Sequence, residues 1–263
     1  MAISLNDLLE AGVHFGHQSK RWNPKMKPYI YGSRNGISIF DLTITIRHLG
    51  HACEFVRDLV AGGGTVLLVG SKRQAQEVLR EAAGKVGMPF MCSRWLGGAL
   101  TNFGVIHKRI QYLRNLRQKE QDGGLEKHPK KEQAKIRKEL AKLNETLGGV
   151  IDLDRLPDAL IVVDVMHEAI AVKEANRLNI PVVAIVDSNC NPDGITEVIP
   201  GNDDALRSIQ ALVNALAAAI AEGNIQYGKK NEVEALEEAK AEKVEAEAEA
   251  DAARDGETVP AAQ

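Results

Sequence analysis

The run from Gly62 to Phe103 opens like a nucleotide-binding strand–loop–helix unit. A short apolar, β-rich stretch, Thr65–Val69, leads into Gly70-Ser71-Lys72 and a helical pattern over 72–86, with Ser71 as the expected cap. A loop of this kind cradles phosphate when it reads G-x-x-x-x-G-K-[ST], with the lysine directly after the second glycine. Here Gly64 and Gly70 are too far apart and Ser71 precedes Lys72. The dinucleotide fingerprint G-x-G-x-x-G is also missing, because Gly62, Gly63 and Gly64 lie before the strand rather than after it. What remains is Lys72, Arg73, Arg94 and Trp95 on loops of an α/β scaffold, a set suited to a phosphodiester backbone better than to a cofactor.

A second constellation lies near the start of the chain. Lys20, Arg21, Lys25, Lys27 and Arg34 are interleaved with Trp22, Tyr29 and Tyr31. Cations neutralise phosphates, and aromatic rings stack on bases exposed in folded RNA. The rings have an alternative use, stapling the segment to its own domain. Pro24 and Pro28 are expected to hold the segment extended, as an arm laid along another surface.

Metal ligation has several candidates. His14 and His17 are three apart in a glycine-flanked loop; His48 and His51 are three apart on a helix near Cys53. No H-E-x-x-H is present. A better set comes from carboxylates after two late strands, Asp187, Asp193, Asp203 and Asp204, because loops beyond the carboxyl ends of parallel strands converge at the mouth of the sheet. If the N-terminal loop folds over that mouth, His17 joins Asp187 and one of Asp203 and Asp204 around zinc or magnesium. Capping and turn roles are the alternative for these aspartates. Asp164, His167 and Glu168 follow a strand end, but Asp164 reads as a cap for the helix beginning near His167. With no G-x-S-x-G elbow, no active site stands out.

The elements that position these residues alternate from about 30 to 228. Strand-like runs are Ile37–Phe40, Thr65–Val69, Pro89–Cys92, Ala159–Val163 and Val182–Val186, with Ile195–Ile199 as a short sixth. Helical periodicity fits 42–60, 72–86, 168–178 and 203–222. Continuous apolar strands such as Leu160–Val163 imply a sheet covered on both faces, hence parallel strands with crossover helices. The alternation breaks over 104–149. Ile106, Ile110, Leu113 and Leu116, then Ile136, Leu140, Leu143 and Leu147, form narrow stripes on two charged helices, an antiparallel helical hairpin. Three units follow: an α/β domain over 1–103 and 150–228, the hairpin insertion 104–149, and a low-complexity, Glu/Ala-rich tail over 229–263, disordered or transiently helical.

Charge divides the same way. Residues 1–150 carry 24 Lys/Arg against 13 Asp/Glu, whereas 151–263 carry 9 against 23. Within the hairpin, 105–150 hold 12 Lys/Arg against 6 Asp/Glu, among them Lys108 and Arg109, so one flank is expected to face phosphate. Cys53, Cys92 and Cys190 are scattered, which argues for a reducing compartment. With no secretory pattern and no long apolar run, the expected location is cytoplasmic and soluble.

Taken together, GVHFGHQSKRWNPKMKPYIYG, LLVGSKRQAQE, SRWLGGALTNF and LPDALIVVDVMHEAIAVKEANRLNIPVVAIVDSNCNPDGITEVIPGNDDA resemble, in order from about residue 6 to 224, the bacterial small-subunit (30S) ribosomal protein S-two family. The resemblance implies a flavodoxin-like parallel sheet with an inserted coiled-coil hairpin. It implies a structural, non-enzymatic role: binding 16S rRNA between head and body of the subunit, and helping recruit the multi-OB-fold ribosomal protein S-one, which delivers mRNA. No DNA or membrane partner and no required cofactor follow from it. Lys20, Arg21, Trp22, Lys25, Lys72, Arg73, Arg94, Trp95 and Lys108 fall on family motif positions rich in RNA-facing side chains. The rival reading is a flavodoxin-like, Mg-dependent nucleotide or sugar-phosphate enzyme using Asp187, Asp193 and Asp203. A third is an adaptor whose hairpin docks a protein partner.

Overall fold

The continuous apolar runs form the centre of the molecule. The computed structural model describes the backbone of residues 3–127 and 129–255 and the side chains of 3–125 and 129–231. Strands β4 (Val66–Val69), β5 (Phe90–Met91), β6 (Ala159–Val163), β7 (Val182–Val186) and β8 (Glu197–Pro200) make one sheet in the order β5-β4-β6-β7-β8, every pair parallel. Counted by appearance the order is 2-1-3-4-5, that of flavodoxin-like sheets.

Strand side chains alternate between two faces. Val66, Leu68, Ile161, Val163, Val183 and Ile185 share one core with helices α2 (Leu42–Ala61), α3 (Arg73–Val86) and α7 (Leu206–Asp255). Leu67, Val69, Leu160, Val162, Val182 and Ala184 belong to a second core on the other face. It takes in α6 (Ala169–Arg177) and the base of a hairpin formed by α4 (Phe103–Gln121) and α5 (Lys130–Leu147). Burying each such Leu, Ile or Val contributes about 1.5–3 kcal/mol before chain entropy is subtracted. The hairpin stripes pack as spaced: Ile110, Leu113, Leu116, Leu140 and Leu147 are buried, and Ile106, Ile136 and Leu143 lean on them. The insertion therefore sits in the crossover between β5 and β6.

The N-terminal region departs from expectation. It is not an extended arm. Strands β1 (Phe15–Gln18), β2 (Ile30–Arg34) and β3 (Ile37–Phe40) form a separate antiparallel sheet in the order β1-β3-β2, after a short helix α1 (Leu5–Glu10) capped by Ser4. Pro24 begins a 3-10 helix, Pro24–Tyr29, with Asn23 as its cap; a fixed φ suits the first helical turn as well as an extended chain. Asn35 and Gly36 turn β2 into β3 at φ of 54° and 75°, the left-handed pair that a tight hairpin demands. Ser71 does not cap α3, whose N-cap is Lys72 without a side-chain bond. Of the expected tail, 229–255 continue α7 as helical backbone, and 256–263 lie outside the described residues. Among the described residues, no helix is long and apolar enough to cross a membrane, and the three cysteines are unpaired.

Candidate functional site

The carboxyl ends of the parallel strands carry a close group of ionisable side chains, and the small sheet folds over them. Asn23 N donates to Ser188 O at 2.7 Å, and His17 N donates to Ser188 Oγ at 2.8 Å. Gly16 is required here: a Cβ at that position would lie 2.8 Å from Ser188 Oγ. This docking brings His17 to the mouth. Its Nδ1 is 3.0 Å from Asp187 Oδ2 and its Nε2 is 3.1 Å from Asp204 Oδ2. The hydrogen bond to Asp187 raises the His17 pKa above its usual value against the opposing effect of burial.

Lys72, from the β4–α3 loop, reaches the same group. Its Nζ lies 2.7 Å from Asp203, 2.5 Å from Asp204 and 3.3 Å from Asp164. β4 and β6 flank the point where strand order reverses, so Lys72 and Asp164 meet at the switch point of the sheet. Burial works against the Lys72 charge, but Asp203, Asp204 and Asp164 together push its pKa up. Asp203 is 1% exposed, and burial followed by repulsion from Asp164 and Asp187 pushes it up to about 7. Several carboxylates share one ammonium and one imidazole. His17, Asp187, Asp203 and Asp204 offer ligand atoms all within 4.8 Å of one another. Asp193 stands apart, paired with Lys25. His48 and His51 lie with ring centroids 6.5 Å apart, tilted by 35°, and do not belong to a group of three ligands among the described residues.

Two glutamates of the β6–β7 segment have roles that sequence reasoning missed: Glu174 was not singled out there at all, and Glu168 only as one of three polar residues after a strand end. Glu168, 2% exposed, accepts from Ser71 N at 2.8 Å and Ser71 Oγ at 2.5 Å. Glu174, 8% exposed, accepts from Trp95 Nε1, Gly98 N, Leu100 N, Thr101 N and Thr101 Oγ1 over 2.7–3.1 Å. Burial raises the Glu174 pKa, but the backbone donors Thr101 and Gly98 and the Trp95 indole outweigh it, leaving the carboxyl below its usual range. The donors an incoming phosphate would use on both loops are thus held by the chain's own carboxylates. Asp164 is not the cap expected of it: it accepts from His167 N at 2.9 Å in the turn before α6, and that helix begins at Ala169 with Glu168 as an N-cap that makes no side-chain bond.

The candidate RNA-facing residues divide. Lys20, Arg21, Lys25, Lys27, Arg34, Arg73, Arg94, Lys108 and Arg109 are exposed, as is Trp22. Two are not available. Lys72 is enclosed by carboxylates, and Trp95 is 7% exposed, its indole in the second core and its N–H on Glu174. Both were assigned from their neighbours in sequence, but loop position does not determine which way a side chain turns.

Comparison with known proteins agrees with this architecture. A family model described as ribosomal protein S2 matches residues 8–223. The chain is 53% identical over 221 residues to the small ribosomal subunit protein uS2 of Desulfatibacillum aliphaticivorans, covering 84% of this chain and 75% of that protein. It is 52% identical over 221 residues to the small ribosomal subunit protein uS2 of Nocardia farcinica, covering 84% and 78%. The parallel sheet, the hairpin in its crossover and the match across both place the chain in the ribosomal protein S2 family.

Proposed function

We propose that this chain is a non-enzymatic constituent of the cytoplasmic small ribosomal subunit. In this reading it binds 16S rRNA between head and body and helps recruit the mRNA-delivering, multi-OB-fold ribosomal protein S-one. One observation carries it. Exposed cations lie on the small sheet and the turn and 3-10 helix between its strands (Lys20, Arg21, Lys27, Arg34), and at the carboxyl end of the large sheet, on the start of α3 (Arg73) and the loop after β5 (Arg94). Meanwhile the loop donors that would hold a nucleotide phosphate are occupied by Glu168 and Glu174. Such a surface fits an extended phosphate backbone, read by shape, and not a small phosphorylated substrate.

Sedimentation of cell lysate through sucrose at low and high salt tests this. Cofractionation with small subunits, weakening as salt rises, is expected, because each neutralised phosphate releases counterions. A chain that stays at the top of the gradient at both salts refutes it. Replacing Lys20, Arg21, Lys27 and Arg34 by alanine should weaken incorporation without lowering thermal stability, since exposed charges contribute little to folding.

The group at the sheet mouth supports a second role for the same chain. One imidazole and three carboxylates within 4.8 Å form a mixed nitrogen–oxygen donor set that suits zinc, and less closely magnesium. A cation bound by His17, Asp187, Asp203 and Asp204 would neutralise the excess of carboxylates, relieve the Lys72 ammonium, and pin the small sheet to the large one.

A further inference from the structure

Beside the basic small sheet lies a cleft of about 390 Å³, between the start of the 3-10 helix, the β6–α6 loop and the β7–β8 loop. Its wall is apolar, formed by Val165, Met166 and Val172, with Met166 61% exposed. Its polar lining consists largely of amides. Asn23 Oδ1 accepts from Lys25 N, Asn191 Oδ1 accepts from Asp193 N, and Asn189 Oδ1 accepts from the Cys190 thiol. Each of the three therefore spends its oxygen on its own loop, which fixes the amide plane. Among the described residues, none of these three Nδ2 groups has a hydrogen-bond partner, so the three amides keep donors for a ligand, and Asn176 adds a fourth amide to the lining. The carboxylate at the rim, Asp193, is already paired with Lys25, and Lys173 adds a cation to the lining.

We infer that this cleft takes a single unpaired RNA nucleotide, its base against the Met166 wall and its carbonyl or ring-nitrogen acceptors toward the asparagine amides. The inference rests on the rRNA-binding reading and names one of its contacts. The chemistry matches on three counts. A base offers an apolar face and an acceptor-rich edge, and RNA is recognised chiefly through such extruded bases. The volume lies within the ~300–1,000 Å³ range of small-ligand pockets. Trp22, next in sequence to Asn23 and 38% exposed, stands ready for an adjacent base or ribose. The neighbouring cations Lys20, Arg21 and Lys27 would hold the flanking phosphates.

The test uses the full chain assembled into small subunits. Met166 is replaced by the photo-crosslinker p-benzoylphenylalanine, the subunits are irradiated, and the crosslink is mapped by primer extension. A crosslink to one or two unpaired rRNA nucleotides is expected. In a parallel arm, Asn191→Asp keeps the oxygen that accepts from Asp193 N and removes the donor, and Asn189→Ala removes the whole amide. Both variants should lose base-specific chemical protection at the crosslinked nucleotide while the backbone footprint elsewhere persists. A crosslink to a protein only, no crosslink, or unchanged protection in both variants overturns the inference. If the unmodified chain itself fails to cosediment with small subunits, the rRNA-binding reading fails instead, so the two failures are distinguishable.

Discussion

The indole of Trp95 donates through Nε1 to Glu174 Oε1 at 3.1 Å, across 79 residues of sequence, tying the loop after β5 to helix α6. The same carboxylate also takes Gly98 N, Leu100 N, Thr101 N and the Thr101 hydroxyl, so one side chain organises the whole turn leading into the hairpin. Gly98 has a φ of 84°, which lets its N–H face inward. Removing the acceptor would strand these donors. Glu174→Ala is expected to cost about 3 kcal/mol or more, since hydrogen bonds to a charged group are worth ~1.5–3 kcal/mol each and orphaned buried donors add to the loss. Thermal unfolding monitored by near-ultraviolet circular dichroism checks this. A change of under about 0.5 kcal/mol, the range of ordinary surface substitutions, would show the carboxylate is dispensable.

Acid should reach the same contact. The folded-state pKa of Glu174 lies below its unfolded value of 4.5. A carboxyl shifted down contributes stability that is fully present above the unfolded pKa and is lost as pH falls through the folded one. In a Trp22→Phe background, which leaves Trp95 as the reporter, indole fluorescence should hold steady from neutrality down to about pH 5 and change only at lower pH. Glu174→Gln should remove that acid dependence. An identical acid profile in both proteins would place the titration elsewhere.

The sheet was legible because strands buried on both faces read as unbroken apolar runs: Leu160-Ile-Val-Val and Val182-Val-Ala-Ile-Val have no other comfortable place. The hairpin was legible from its stripes. His17, Asp187, Asp203 and Asp204 were named together because loops after parallel strands must converge, and the structure brings those four side chains to one place. Of the small sheet only β3, Ile37–Phe40, was legible as a strand, and it was grouped with the parallel set; β1, β2 and their antiparallel pairing were missed. The strands of this sheet are four or five residues with mixed burial, and the two prolines spoke louder than the Asn35-Gly36 turn that could have revealed it. Trp95 and Lys72 were misplaced for a related reason. The partners that turn them inward, Glu174 and the late aspartates, lie 79 and more residues away, and a glutamate in a helical run gives no sign that backbone amides converge on it.

Lys72 and Arg73 are neighbours with opposite expected behaviour. Lys72 is the ammonium among Asp164, Asp203 and Asp204; Arg73 is exposed. Lys72→Met should destabilise the fold by about 3 kcal/mol, because removing one partner leaves buried carboxylates facing each other. Arg73→Ala should leave the melting temperature unchanged and flatten the salt dependence of RNA binding by roughly one phosphate contact. Denaturation and salt-titrated filter binding on both variants separate the two. A stable Lys72→Met protein with weakened RNA binding would return Lys72 to the RNA-facing set.

A divalent cation at the mouth would act as a ligand that binds only the folded state. At a hundredfold excess over its dissociation constant it adds about 2.7 kcal/mol. In a domain of this size that is roughly a 5–10 °C rise in melting temperature, at ~2–4 °C per kcal/mol. Zinc added to chelator-treated protein should produce this shift, and His17→Ala should abolish it. An equal shift in His17→Ala would mean the ion binds elsewhere. No shift in the parent protein would leave Lys72 as the cation that holds the cluster.

Two glycines on facing sides of the first core should respond with opposite sign to the same substitution. Gly84 lies exposed in α3, and a Cβ there would meet nothing within 4 Å. Gly84→Ala removes unfolded-state freedom and improves helix propensity, and should stabilise by about 0.5–1 kcal/mol. Gly223 is buried where α7 crosses α2, and its Cβ would fall 2.6 Å from Arg57 O and 2.9 Å from Val60 Cβ. The obstruction is backbone, which cannot swing aside, so Gly223→Ala must push the two helices apart. The expected cost is about 1–3 kcal/mol, the range for overpacked cores. Chemical denaturation of the two variants should move the midpoint in opposite directions. If Gly223→Ala is as stable as the parent, the close approach of α2 and α7 does not depend on the missing side chain.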